Sequence, residues 1–374
     1  MLSSRLIHTE KKERIHRFMG NFHRSVHPWV SSTLVSLIVF SVLCISTEFQ
    51  RVENQAMKLS NCPRYAFVAN PNVENCGLGH RMGDVFMSFV FAIEYNATFV
   101  IQSSIFEAPS IHSNDYSWAK NFFGLGHVMT TSMIPSDNIS EVSISRWDHA
   151  SELGNACKVI LKTCDTCCPN LSRAGIDNRD WCFINKLGAY GVAHPYFSKM
   201  FELSGFKPSV NHFIRSNAAV SVAWHVRLPN YDGDHVDNRL NSETFFDNIF
   251  ATIQKITGEL SFEIFVFSQR KLTQHDYLGK YNVTNVYNLG EADTLYHLAM
   301  ADILVTSGSA FTSIAAVIHS PRSIVLQAPP RDTGNGVHWI PTFAMVDENG
   351  LLLQPEVSVL SDKLMALKKI PDTT

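Results

Sequence analysis

The clearest hydrophobic patterning lies in the last third of the chain. Residues 218–226 (AAVSVAWHV) form an apolar run of strand length. Residues 242–257 then place Phe245, Phe246, Ile249, Phe250, Ile253 and Ile256 at helical spacing. Further strands are predicted at 263–267 (EIFVF), 302–306 (DILVT) and 323–327 (SIVLQ), and helices at 291–301 and 309–319. Strand and helix alternate, which is the signature of a doubly wound α/β domain with a parallel sheet. Near the other end, 65–70 (YAFVAN) reads as a strand and 77–81 as a glycine-containing loop. Residues 82–95 read as a helix apolar on nearly every face, and 98–102 (TFVIQ) as a second strand. This β-loop-α-β start predicts a second α/β domain facing the first across a cleft. Residues 103–215 are rich in Ser, Asn, Cys and aromatics without a clean period. They predict short elements stapled by disulfides.

One apolar stretch belongs to neither domain. Residues 29–47 (WVSSTLVSLIVFSVLCIST) carry no charge. As a helix they would span about 28 Å, close to a bilayer's hydrocarbon thickness. Arg5, Lys11, Lys12, Arg14, Arg17 and Arg24 precede the stretch and Glu48 follows it. The positive-inside rule then places the N-terminus in the cytosol and the remainder in the lumen. A basic stretch this long before the apolar run is more than a cleaved signal peptide carries, so an uncleaved signal anchor is expected. The expected organisation is a cytosolic tail at 1–28, a transmembrane signal anchor at 29–47 and a stem at 48–60. An N-terminal α/β domain at 61–215 and a C-terminal Rossmann-like domain at 216–374 follow.

Composition narrows the function. The chain has 374 residues, 45% apolar and 17% charged, with a net charge of −3. Disorder is excluded, and no basic field is present to hold a nucleic acid. Seven of eight cysteines follow the apolar span (Cys62, Cys76, Cys157, Cys164, Cys167, Cys168 and Cys182) and read as disulfide partners, with one left over. Cys164-Asp-Thr-Cys167-Cys168 has the spacing of half a zinc site, but no matching pair lies nearby, and no metal is expected. Sequons at Asn96, Asn138, Asn170 and Asn282 suit a luminal domain.

Candidate chemistry sits where predicted strands end. Strand parity turns His225 and Arg227 to one side, and an Arg at a strand's C-terminal edge can grip two oxygens of a phosphate or carboxylate. The strand 302–306 runs into Ser307-Gly308-Ser309, where a helix start with hydroxyls offers an anion site. Two phosphate-competent groups on one rim suggest a pyrophosphate. The glycines of Gly77–Gly83 are spaced one residue too long for the dinucleotide fingerprint, which argues against NAD and S-adenosylmethionine. Asp232-Gly-Asp234 follows a loop rather than an apolar strand. It suits acid–base work better than metal binding.

Together these segments resemble the fucosyltransferase superfamily that includes α1,2-, α1,6- and protein O-fucosyltransferases. Gly77–Asp84 resembles its first glycine-rich loop, and His225-Val-Arg227 its HxR motif. The stretch 293–316, with Asp293, His297, Ser307, Ser309, Ala310 and Phe311, resembles its third shared region. In place of an unbroken HxRxGD, Leu228–Tyr231 intervene before Asp232-Gly-Asp234. The resemblance implies a GT-B fold with GDP-fucose as donor in the C-terminal domain. It also implies inverting, metal-independent transfer to a glycan or glycoprotein acceptor, in a single-pass type II Golgi membrane protein with a luminal catalytic domain. Arg227 would hold the β-phosphate, and Asp234 or Asp232 would serve the acceptor hydroxyl. Gly79, His80, Arg81, His225, Asp293, His297, Ser307, Ser309, Ala310 and Phe311 would line the substrate. Two other readings are a metal-dependent luminal glycosyltransferase working through Asp232 and Asp234, and a catalytically silent binding protein on the same scaffold.

Overall fold

The computed structural model describes residues 62–69, 73, 76–109, 116–135, 140–144, 153–162, 189–213, 219–227, 242–272, 276–307, 309–328 and 343–368. In the N-terminal half these form β1 (Tyr65–Ala69), α1 (Leu78–Glu94), β2 (Thr98–Phe99), α2 (Ser117–Phe122), β3 (Glu141–Ile144), β4 (Lys158–Lys162) and α3 (Ala189–Ser204). The strands make a parallel sheet of order β2-β1-β4-β3. A Cys62–Cys157 disulfide ties the start of β1 to β4, and Arg64 reinforces the junction by donating to the carbonyls of Gly154 and Ala156. Cys76 is disulfide-bonded as well.

The C-terminal half contains every expected element within one or two residues at each boundary, together with three strands and one α-helix that the pattern did not predict. It comprises β5 (Ala219–His225), α4 (Glu243–Thr257), β6 (Ser261–Ser268), β7 (Val283–Tyr287), α5 (Glu291–Met300), β8 (Ile303–Val305), α6 (Ala310–Ile318), β9 (Ile324–Gln327), β10 (Ala344–Val346), β11 (Leu352–Gln354) and α7 (Val357–Lys368). The sheet order is β11-β10-β9-β8-β5-β6-β7, parallel except for the β10–β11 pair. Consecutive strands run outward from β5 to one edge and then resume beside β5 with β8. The order therefore reverses between β5 and β8, the topological switch point of a doubly wound sheet.

The alternation along β5 explains the layering. Val220, Val222 and Trp224 point into a core with Phe245, Phe246, Ile249 and Ile253 of α4 and with Leu360 and Leu364 of α7. Ala223 points the other way, into a core shared with α1, α3, α5 and α6. That second core also takes Ala66 and Val68 of β1, so one continuous apolar interior joins both sheets, and residues 60–374 form one compact unit. Each fully buried Phe or Leu in it contributes about 1.5–3 kcal/mol.

Two expectations are corrected here. The helix predicted from Met82 begins at Leu78, inside the segment read as a loop, because Gly77 adopts an extended cap (φ −69°, ψ 166°). It ends where Asn96 takes a left-handed conformation (φ 48°). The middle region is not made only of short elements, since α3 runs for 16 residues. Among the described residues no helix is long and apolar enough to cross a membrane; the 29–47 stretch lies outside them.

Buried histidines make the fold acid-sensitive. His319, just after α6, is fully enclosed, and among the described residues its ring nitrogens find no partner of good hydrogen-bond geometry, the nearby backbone of Ser320 and Ala301 offsetting its burial only in part. Burial first, and then neighbouring His194, push its pKa down to about 3, with Lys363 acting in the same direction. His194 is lowered too, chiefly by burial. The unfolded chain takes up these protons at an ordinary pKa near 6.5 while the native state refuses them. Stability should be full above about pH 6.5 and fall as pH drops below it, by at most about 1.4 kcal/mol per pH unit for each group. Thermal melts at pH 7.5 and 5 should show this loss, and His319→Leu should reduce it.

Candidate active site

The rim at the C-terminal ends of β5–β9 collects the candidate residues. His225 closes β5, opposite Phe267 of β6, and Arg227 follows two residues later. Ser307 follows β8, and Ser309 caps α6, accepting a hydrogen bond from the Thr312 N–H. A bond of 3.1 Å between His225 Nδ1 and Ser307 Oγ spans the switch point. Ser307 Oγ lies 3.3 Å from Ser309 Oγ, so the contact continues from His225 to the cap of α6. His225 is buried, its ring tilted against Phe311 at 5.5 Å between centroids. Burial, then the charge of Arg227, push its pKa down to about 3. The imidazole is therefore neutral at pH 7 and adds a dipole, not a charge.

The N-terminal half meets this rim through α1. A Cβ placed on Gly79 would lie 2.7 Å from the Ala310 Cβ and 3.0 Å from the Phe311 nitrogen. Only a glycine lets the first turn of α1 approach the first turn of α6 this closely. Two positive helix ends thus converge beside His225. The first turn of α5 joins them electrostatically, because Glu291 and Arg81 sense each other's charge. The three segments from residues 77–84, 225–227 and 307–311, remote in sequence, are brought to one place.

Other expected site residues are engaged internally. Arg81 is fully buried over the Tyr116 ring. Its Nε donates to Cys76 O at 2.9 Å, Nη1 to Ile105 O at 2.8 Å and Ala108 O at 2.7 Å, and Nη2 to Pro109 O at 2.8 Å. It braces the segment 103–109 against α1. Asp293 accepts from the Ser209 N–H at 3.0 Å and from the Ser209 hydroxyl. His297 is fully buried, with Nδ1 at 2.6 Å from Asp293 O and Nε2 accepting the His212 N–H at 3.0 Å. These two pin the segment after α3 to α5. His80 is half-buried in the first turn of α1. Asp232 and Asp234 lie outside the described residues. Among the described residues no group of three or more His, Cys, Asp or Glu could hold a metal ion.

Sequence reasoning missed Glu291. Burial raises its pKa to about 7, against the pull of Arg81. Its position at the start of a predicted helix was a usable signal, but its enclosure was not legible.

No family model and no curated protein matches the chain. Among solved structures, the fucosyltransferase NodZ from Bradyrhizobium is similar over 73% of this chain and 97% of its own, at 15% identity and a TM-score of 0.39. A mutant of Arabidopsis thaliana FUT1 in complex with GDP is similar over 81% of this chain and 80% of its own, at 14% identity and a TM-score of 0.36.

Two substitutions separate bracing from binding. Gly79→Val should force α1 away from α6, costing about 1–3 kcal/mol and weakening ligand affinity in parallel, read by urea denaturation and calorimetry. Arg81→Met keeps the stem but strands four carbonyls, and should destabilise the fold by about 3 kcal/mol or more. Native stability with selective loss of ligand binding would instead make Arg81 a ligand residue.

Proposed function

We propose that the protein is an inverting fucosyltransferase that moves fucose from GDP-fucose to a hydroxyl of a glycan or glycoprotein. The observation that carries this reading is the His225–Ser307 hydrogen bond across the switch point, with Gly79 packed on Ala310 and Phe311. It joins the three segments whose sequences resemble the fucosyltransferase motifs, at the place where doubly wound sheets bind ligands. In this reading the fold is GT-B-like and the nucleotide lies over the C-terminal sheet.

The chemistry asked of the protein is stabilisation of charge on a departing diphosphate. In direct displacement the acceptor oxygen attacks the fucose anomeric carbon as its bond to the β-phosphate oxygen breaks. Arg227 offers a fixed positive charge on the rim. The first turns of α1 and α6 add oriented N–H dipoles, and neutral His225 adds no competing cation for Arg227 to repel. These groups supply the stabilisation without a metal ion. The acidic pair Asp232 and Asp234 follows Arg227 closely in sequence and belongs to the acceptor side in this reading. The 29–47 stretch would anchor the enzyme as a single-pass type II Golgi membrane protein, with the catalytic part luminal.

Calorimetric titration with GDP, GDP-fucose, GDP-mannose and UDP-sugars in EDTA should show selective binding of the guanosine diphosphate ligands. Arg227→Ala should weaken GDP binding at least about 30-fold, equivalent to about 2 kcal/mol, and leave the melting temperature unchanged. Binding that appears only with Mn²⁺ would favour the metal-dependent reading through Asp232 and Asp234. Binding without GDP release from GDP-fucose would favour the silent scaffold.

A further inference from the structure

Among the described residues the two sheets end in four outer strands, β2, β3, β7 and β11. An outer strand presents a row of backbone N–H and C=O groups to which another chain can pair, and folds blunt such edges with short strands, charges, prolines, bulges or cover. The strand β2 has two residues, and the chain just beyond it is covered where Ile101 exchanges hydrogen bonds of 3.0 and 2.9 Å with Met129 and Thr131. The strand β3 carries the charge of Glu141, paired with Lys158 at 2.7 Å. The strand β11 has three residues, a register shift in its pairing with β10, and Pro355 directly after it. In contrast, β7 runs for five residues, VTNVY, without charge or proline. Its composition favours strand pairing, and Thr284, Asn285 and Tyr287 are exposed on it.

The sequon Asn282-Val-Thr284 opens this strand. Just before it, Tyr281 stacks on Phe250 at 4.2 Å between ring centroids, and Lys280 pairs with Glu243 and Asp247, each at 2.7 Å. The Val283 N–H donates to the Tyr281 carbonyl at 2.9 Å, closing a three-residue turn with Asn282 at its centre. Just after it, β7 is held by its pairing with β6. The chain is pinned on both sides, while Asn282 and Thr284 are exposed. Among the described residues no hydrogen bond engages the Asn282 amide or the Thr284 hydroxyl. Asn282 stands at the start of a parallel strand, the end of the sheet opposite the rim that carries His225. A bulky group there leaves the rim open.

We propose that Asn282 is a site of N-linked glycosylation whose oligosaccharide screens β7 and prevents its pairing with a second copy of the chain. The inference rests on the luminal placement in the reading above and is independent of fucosyl transfer. The donor is a lipid-linked oligosaccharide diphosphate. The bond from the sugar C1 to the diphosphate oxygen breaks with its electron pair on that oxygen, C1 bonds to Asn282 Nδ2, and one amide proton leaves to solvent. The sequon at Asn96 is exposed as well, in the turn before β2, but the edge it adjoins is already short and covered. A sugar at Asn96 therefore has no open strand to screen.

The test uses the full chain made in a eukaryotic secretory host and purified in detergent. Enzymatic removal of N-glycans in heavy-oxygen water, followed by peptide mass spectrometry, should mark Asn282. Asn282→Gln and Thr284→Ala should each remove one step of gel mobility, and Thr284→Ser should retain it. In sedimentation velocity, Asn282→Gln should self-associate at least about tenfold more tightly than the glycosylated wild type. Wild type deglycosylated after folding should do the same, which separates screening from any effect on folding. Adding Asn285→Lys to Asn282→Gln places a charge on the strand and should restore the wild-type state. Asn96→Gln should leave that state unchanged. An unmodified Asn282 beside a modified sequon elsewhere would overturn the proposal. So would Asn282→Gln and deglycosylated protein that sediment like the wild type, association that Asn285→Lys does not reverse, or equal association in Asn96→Gln. A chain in which no sequon carries sugar would overturn the luminal placement and the proposal with it.

Discussion

The close approach of α1 to α6 at Gly79 is the contact on which the remaining architecture depends. A single absent side chain allows two helix starts to touch backbone to backbone. Because of that approach, the core around Phe86, Phe91 and Phe197 runs unbroken into Ile314, Ala315 and Leu304 of the other half. The two sheets are therefore held by a common apolar interior. The same approach carries Arg81 to within electrostatic reach of Glu291 and sets Phe311 against His225.

Ionisable groups in this interior divide by what compensates their burial. Arg81 is offset by four carbonyls, and Asp302 by a serine and a lysine. Such groups hold segments in register, and removing one partner strands the other. In His225 and His319 burial prevails over the contacts each makes, and both stay neutral. For His225 the neutrality is useful, because a second cation beside Arg227 would be repelled by it. For His319 burial outweighs the backbone contacts with Ser320 and Ala301, and the acid sensitivity of the fold is the consequence.

The C-terminal half was legible because its strands are continuous apolar runs and its helices amphipathic. Ser242 and Ser309 even appear as caps where the pattern begins. The N-terminal half was less legible for identifiable reasons. The helix α3 carries Pro195 in its interior and Gly191 near its start, both contrary to helix propensity, and tertiary packing of Ala193 and Phe197 overrides them. Short β4 lies in a cysteine-rich stretch, and its pairing with β1 and β3 is a long-range fact. The glycine-rich segment looked like a loop because glycines signal turns, whereas Gly79 is there for helix contact.

Site residues were harder still, because sequence names a side chain's chemistry and not its direction. Arg81, Asp293 and His297 have the right chemistry for a ligand, yet each is turned to a backbone or serine partner within the fold. Glu291 looked like an ordinary dipole-complementing acid at a helix start. Its raised pKa arises from enclosure by a half of the molecule whose packing was the least readable, against the opposing charge of Arg81 on α1, 210 positions earlier. Residues of this kind become visible only when burial is set beside hydrogen bonding. A buried acid with donors is part of the frame, and a partly enclosed acid without them is shifted towards its protonated form.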